Sequence, residues 1–85
     1  VKHDAIPVMK SDIDYNRHVN NANYIRMAME LLPDNFNVKS LRVEYKIATK
    51  YGDVLIPTVF TTDDVVTVSL SVNDKVSAIV EFSCK

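Results

Sequence analysis

Asp14, Asn16 and His18 stand at alternate positions, and Asn20 and Asn21 follow them directly. In an extended segment, alternate residues point the same way, so a carboxylate, an amide and an imidazole can project toward one side. Such a trio can move protons. The carboxylate fixes the imidazole tautomer and stabilises its charged form, and histidine has an unperturbed pKa of about 6.5. A helix beginning after Asn20 or Asn21 adds a second element. Its first N–H groups lack intrahelical partners and its dipole favours developing negative charge, so a carbonyl oxygen placed there is polarised as in an oxyanion hole. Acyl-transfer chemistry becomes possible. The same residue types also build turns and helix caps, and taken alone they leave both readings open.

The other reactive side chains read more plainly. His3 sits in polar company and is solvated. Cys84 falls on the apolar side of its strand, as core filling rather than a nucleophile. Met27 and Met29 have the helical spacing of packing residues, and Lys46 and Lys50 belong to a solvated face.

To hold the polar segment the chain needs a helix and a surface for that helix. Ile6-Pro7-Val8-Met9 reads as a short strand whose proline suits an edge. Residues 11–18 form an irregular polar loop. Tyr24, Met27, Ala28, Leu31 and Leu32 then recur at helical spacing, and Pro33 stops the helix. Twelve residues, 21–32, give a rod about 18 Å long at roughly 1.5 Å per residue. Leu41, Val43, Tyr45 and Ile47 alternate with polar residues as a half-buried strand, and residues 54–61 form another with Pro57 inside it. Val66, Val68, Leu70 and Val72 lead through an Asn73-Asp74 turn into Val76, Ala78, Val80, Phe82 and Cys84, a hairpin with one apolar side. The expected class is α+β: an antiparallel sheet of about five strands with one main helix on one face. Open sheet edges in so small a unit predict a dimer or a neighbouring domain.

Composition narrows the function. Eighty-five residues, 47% of them hydrophobic, supply one core and one domain. Ten basic against eleven acidic residues, a formal charge of -1, give no general attraction to nucleic acid or anionic lipid. The single cysteine excludes an internal disulfide and fits a reducing, cytoplasmic setting; no Cys/His spacing suggests a metal, and no apolar stretch reaches the length of a membrane span. The start at Val1 suggests a piece of a longer chain.

Residues 11–25, Ser-Asp-Ile-Asp-Tyr-Asn-Arg-His-Val-Asn-Asn-Ala-Asn-Tyr-Ile, with Glu30 and Pro33 closing the helix, resemble the acyl-ACP thioesterases of plants and bacteria. Every specified letter of that family's D-x-N-x-H-V-N-N-x-x-Y core is met. Leu41-Arg42-Val43-Glu44-Tyr45-Lys46 and Gly52-Asp53-Val54 look like its next strand and turn. The resemblance implies a single hot-dog domain over residues 1–85, the C-terminal half of a tandem pair, and hydrolysis of the thioester between a fatty acyl chain and acyl carrier protein. It implies catalytic importance for Asn16 and His18, with Asp14 in their network. Asn20, Asn21, Tyr24 and Met27 are then the expected substrate-binding residues, with Leu31 beside the acyl tail. One departure stands out. Where many relatives carry Glu, and plant members Glu-Cys, this chain has Ala48 and Thr49, so Asp14, through His18 or a water, is left as the base.

The resemblance also implies partners: an acidic acyl carrier protein, with Arg17, Arg26 and Lys50 as docking cations, and a second hot-dog domain or a homodimer mate. No nucleic acid and no membrane insertion are expected. Two other function classes stand beside the enzyme: a non-catalytic module that binds acyl thioesters, and a structural half that completes a neighbouring catalytic domain.

Overall fold

Asn73 and Asp74 both adopt left-handed backbone, with φ of 50° and 64°, in the computed structural model, which describes residues 2–13 and 19–85. Asn and Asp tolerate that region better than other residues with a Cβ, and two such positions in a row make the tight turn whose twist suits a hairpin. The turn joins β4 (Val65–Val72) to β5 (Lys75–Ser83), as the sequence predicts. β3 (Val54–Thr61) pairs with β4, and β1 (Ile6–Pro7) pairs with β3. β2 (Ser40–Tyr45) pairs with β5 on the other side, so the sheet order is β1-β3-β4-β5-β2 and every pairing is antiparallel. Helix α1 (Asn21–Met29) packs on β4 and β5. The expected α+β arrangement of a five-stranded sheet and one α-helix is therefore the one observed among the described residues.

The core lies between α1 and the sheet. Val66, Val68 and Leu70 of β4 and Ala78, Val80 and Phe82 of β5 are fully buried, and Tyr24, Met27 and Ala28 of α1 close over them. Period-two alternation puts the strand residues on one face, and helical spacing puts the three from α1 on one side.

Several elements differ from expectation, each for a local reason. β1 has only two residues: Pro7 cannot donate to a ladder, and Val8 turns inward to give its N–H to the Asp53 carbonyl at 2.9 Å. A 3₁₀ turn, Lys10–Asp12, occupies part of the expected irregular loop. α1 has nine residues rather than twelve, about 14 Å long at roughly 1.5 Å each. The Leu31 and Leu32 N–H groups reach back three residues to Ala28 and Met29, tightening the last turn before Pro33. β2 stops at Tyr45, short of Ile47. Leu41 and Tyr45 share the core face, since they pair with Phe82 and Ala78, yet remain 44% and 45% exposed on the edge strand. Cys84 lies past the end of β5, half-buried with its thiol 3.8 Å from Asp64 Oδ1, rather than filling the core.

A bulge in β5 overturns one side-chain assignment. Leu70 faces Ala78, but the next pair is Ser71 with Val76, which leaves Ser77 as the extra residue. Val76 therefore shares the outer face with Ser71 instead of joining Ala78 in the core. Ser77 turns inward. Its hydroxyl donates to the Ile47 carbonyl at 2.5 Å, and its own carbonyl accepts the N–H groups of Lys46 and Ile47 at 2.8 and 3.2 Å. The bulge thus captures the chain as it leaves β2.

Two phenylalanines on opposite faces separate burial from bulk. Phe82→Ala is expected to cost about 3–5 kcal/mol in urea unfolding, because Phe82 is fully buried. Phe60, 58% exposed on β3, should tolerate the same change within about 0.5 kcal/mol.

Candidate active site

The chain leaves the described structure at Ile13 and returns at Val19, and these two residues form an antiparallel bridge. The sequence-derived catalytic residues Asp14, Asn16 and His18, and the docking candidate Arg17, lie outside the described residues. What the structure describes is the set of residues that flank them in sequence. The Asp12 carbonyl accepts both the Asn20 N–H and the side-chain amide of Asn23, each at 2.9 Å. The buried Asp12 carboxylate accepts the Met9 N–H at 2.9 Å and the Arg26 guanidinium at 2.8 Å. One residue therefore holds the 3₁₀ turn, the helix start and the middle of the helix together.

Asn20 is the N-cap: its backbone is extended and its side-chain oxygen accepts the Ala22 N–H at 2.9 Å. Its carbonyl accepts the Asn23 N–H at 2.8 Å. The Asn21 N–H, at the first helical position, has no acceptor among the described residues. It is the donor left at the positive end of the helix.

Beside that end lies a small cleft of about 140 Å³ lined by Asn21, Tyr24, Tyr45, Lys46, Ile47 and Ala48. Typical ligand pockets measure roughly 300–1,000 Å³, so the cleft suits the reacting end of a molecule rather than the whole of it. Tyr45 donates its hydroxyl to the Asn21 carbonyl at 3.4 Å, and its ring centroid stands 6.0 Å from that of Tyr24. Ala48 is exposed on the cleft wall. Its neighbour Thr49 is the opposite: fully buried, with its hydroxyl 2.6 Å from the Tyr24 hydroxyl.

The expected substrate-binding residues divide among these features. Asn21 and Tyr24 line the cleft, although the Tyr24 hydroxyl is buried behind it. Asn20 is occupied as a cap. Met27 and Leu31 lie on the other flank of α1, where they border a groove of about 810 Å³ with Ile6, Pro7 and Met9. Cleft and groove are separate depressions. Arg26 is not a free docking cation, since it is bound to Asp12, whereas Lys50 is exposed. Among the described residues, no cluster of three or more His, Cys, Asp or Glu side chains could hold a metal ion.

Asp12, Thr49 and Ser77 escaped the sequence reading as organisers of this region. Asp12 carried a weak signal, an acid three residues after Met9 at the end of a turn. Thr49 and Ser77 carried none, because each is defined by partners 25 to 53 positions distant.

Residues 1–80 match the family described as Acyl-ACP thioesterase C-terminal domain. Among curated protein sequences nothing matches. The crystal structure of an acyl-ACP thioesterase from Bacteroides thetaiotaomicron is similar, with a TM-score of 0.88 and 22% identity over 94% of this chain and 35% of that one. The 12:0-ACP thioesterase of Umbellularia californica gives 0.85 and 18% identity over 96% of this chain and 34% of that one. A putative oleoyl thioesterase from Lactobacillus plantarum gives 0.73 and 30% identity over 93% and 35%. The fold shared with them is the hot-dog fold. The chain spans about a third of the length of each.

The Asp12 clamp predicts an asymmetry between its two ionic partners. Side-chain exposure is 6% for Asp12 and 55% for Arg26. Asp12→Ala should cost about 1–3 kcal/mol in urea unfolding by stranding the Met9 N–H, while Arg26→Ala should cost about 0–1 kcal/mol.

Proposed function

Because the chain belongs to the acyl-ACP thioesterase C-terminal domain family, we propose that it serves a hydrolase that cleaves fatty acyl thioesters of acyl carrier protein in the cytoplasm, releasing free fatty acid for lipid metabolism. The observation that carries this reading is the family match over residues 1–80, beside which Ile13 and Val19, the described residues that flank the polar motif in sequence, pair just ahead of the capped start of α1. The thioester carbonyl oxygen lies at the Asn21 N–H, where the helix dipole stabilises the charge of the tetrahedral intermediate. Asp14 with His18 takes a proton from water as its oxygen bonds to the acyl carbon. Collapse of the intermediate breaks the C–S bond, and the proton passes to the departing thiolate. Asn16 orients the water or the acyl group.

The small cleft takes the reacting end. The acyl tail continues along the boundary with a second hot-dog domain or homodimer partner, which the β2 edge would meet with the half-exposed Leu41 and Tyr45, and with Ile47 just past the strand. That partner reading is supported by the two acyl-ACP thioesterase structures, of each of which this chain covers about a third. Among the described residues no helix is long and apolar enough to cross a membrane.

Ala48 on the cleft wall favours a second reading, a non-catalytic domain that binds acyl thioesters or completes a neighbouring catalytic one. Fatty acid release from acyl-ACP by the full-length protein distinguishes them. Under the hydrolase reading, Asp14→Asn and His18→Ala each lower kcat by about 10²-fold or more; wild-type turnover by both variants would remove these residues from the mechanism. Docking is tested separately. Lys50→Glu is expected to raise KM for acyl-ACP about two- to fivefold and to leave KM for a small acyl thioester unchanged; equal effects on both substrates would count against Lys50 as a docking cation.

A further inference from the structure

Thr49 occupies a position where the family resemblance suggests chemistry, yet its surroundings point to another role. It is fully buried, and three of its groups bond Tyr24 in α1 or Val19 just ahead of it. Its hydroxyl meets the Tyr24 hydroxyl at 2.6 Å, its N–H donates to the same Tyr24 oxygen at 3.0 Å, and its carbonyl accepts the Val19 N–H at 2.8 Å. Val19 is the first described residue after the segment that carries Asp14, Asn16 and His18, and Tyr24 stands one turn into the helix. Ser77 Oγ lies 3.5 Å from the Tyr24 oxygen and bonds Ile47, so the sheet bulge backs the same junction.

We propose that Thr49 is a positioning residue: it sets the height of the helix start and the exit of the polar segment relative to the cleft. The inference rests on the hydrolase reading above and deepens it. The hydroxyl is what makes the attachment specific. A tyrosine hydroxyl held by both the N–H and the Oγ1 of one residue has a single favourable place, whereas the N–H alone allows it to swing. Buried polar groups also hold their partners strongly, because the alternative is an unpaired group away from water. Thr49 thus links the chain beyond β2 to both sides of the active-site frame without touching substrate.

The full-length protein with Thr49→Val or Thr49→Ser tests this. Valine preserves the branched shape and deletes the hydroxyl, and serine retains the hydroxyl. Thr49→Val is expected to lower kcat on acyl-ACP about three- to tenfold with KM within about twofold, and Thr49→Ser to recover most of the loss. Hydrogen exchange at the Val19 amide should quicken by a similar factor in Thr49→Val while the β4 amides keep their parental rates. Wild-type kcat in Thr49→Val overturns the proposal, as does a loss explained wholly by a smaller folded fraction. Unchanged Val19 exchange overturns it whatever the kinetics. If the parent protein hydrolyses no acyl thioester, the reaction reading fails by itself, and Val19 exchange alone decides the positioning role.

Discussion

Two donors from the beginning of the helix, the Asn20 N–H and the Asn23 amide, converge on one carbonyl, that of Asp12. The remaining architecture depends on this junction. A nine-residue helix is too short to persist by itself, since nucleation is unfavourable and few internal bonds follow it. It is held by the apolar face of Tyr24, Met27 and Ala28 and by pins at its N-terminal end. Asp12 pins it from the side of the 3₁₀ turn. Thr49, through Val19 and Tyr24, pins it from the side of the sheet.

These attachments fix the residues on either side of the polar motif in the sequence. Bringing two chain positions together costs loop-closure entropy, which the bonds formed at the junction must offset. The Ile13–Val19 bridge is one such bond. The buried groups involved are all satisfied among the described residues, with no side-chain N or O left without a partner. The described frame is therefore well bonded, and the small cleft lies beside it, between Asn21, Tyr45 and Ala48.

The sheet contributes through its irregularities as much as its regular pairing. An unbroken β5 would place Val76 in the core and leave no inward carbonyl for Lys46 and Ile47. The bulge at Ser77 provides that carbonyl and a hydroxyl, and so turns the chain from β2 toward Thr49. At the opposite extreme, β2 is an edge strand among the described residues and carries the half-exposed apolar side chains of Leu41 and Tyr45.

The sequence by itself determined the class of fold, the helix with its asparagine cap, and the hairpin with its Asn73-Asp74 turn. These are local properties, written in side-chain period and backbone preference within a few residues. It also carried the polar motif and the family to which the chain belongs. Tertiary structure alone decided that α1 ends at Met29, that Val76 faces outward, that Arg26 is bound to Asp12, and that Met27 and Asn21 border different depressions. It also decided that Ala48 faces the cleft while Thr49 turns inward. Two adjacent residues after a strand's last alternating position carry no period to separate them. Their fates were settled by partners that only folding brings near, Tyr24 from the helix and Ser77 from the bulged strand.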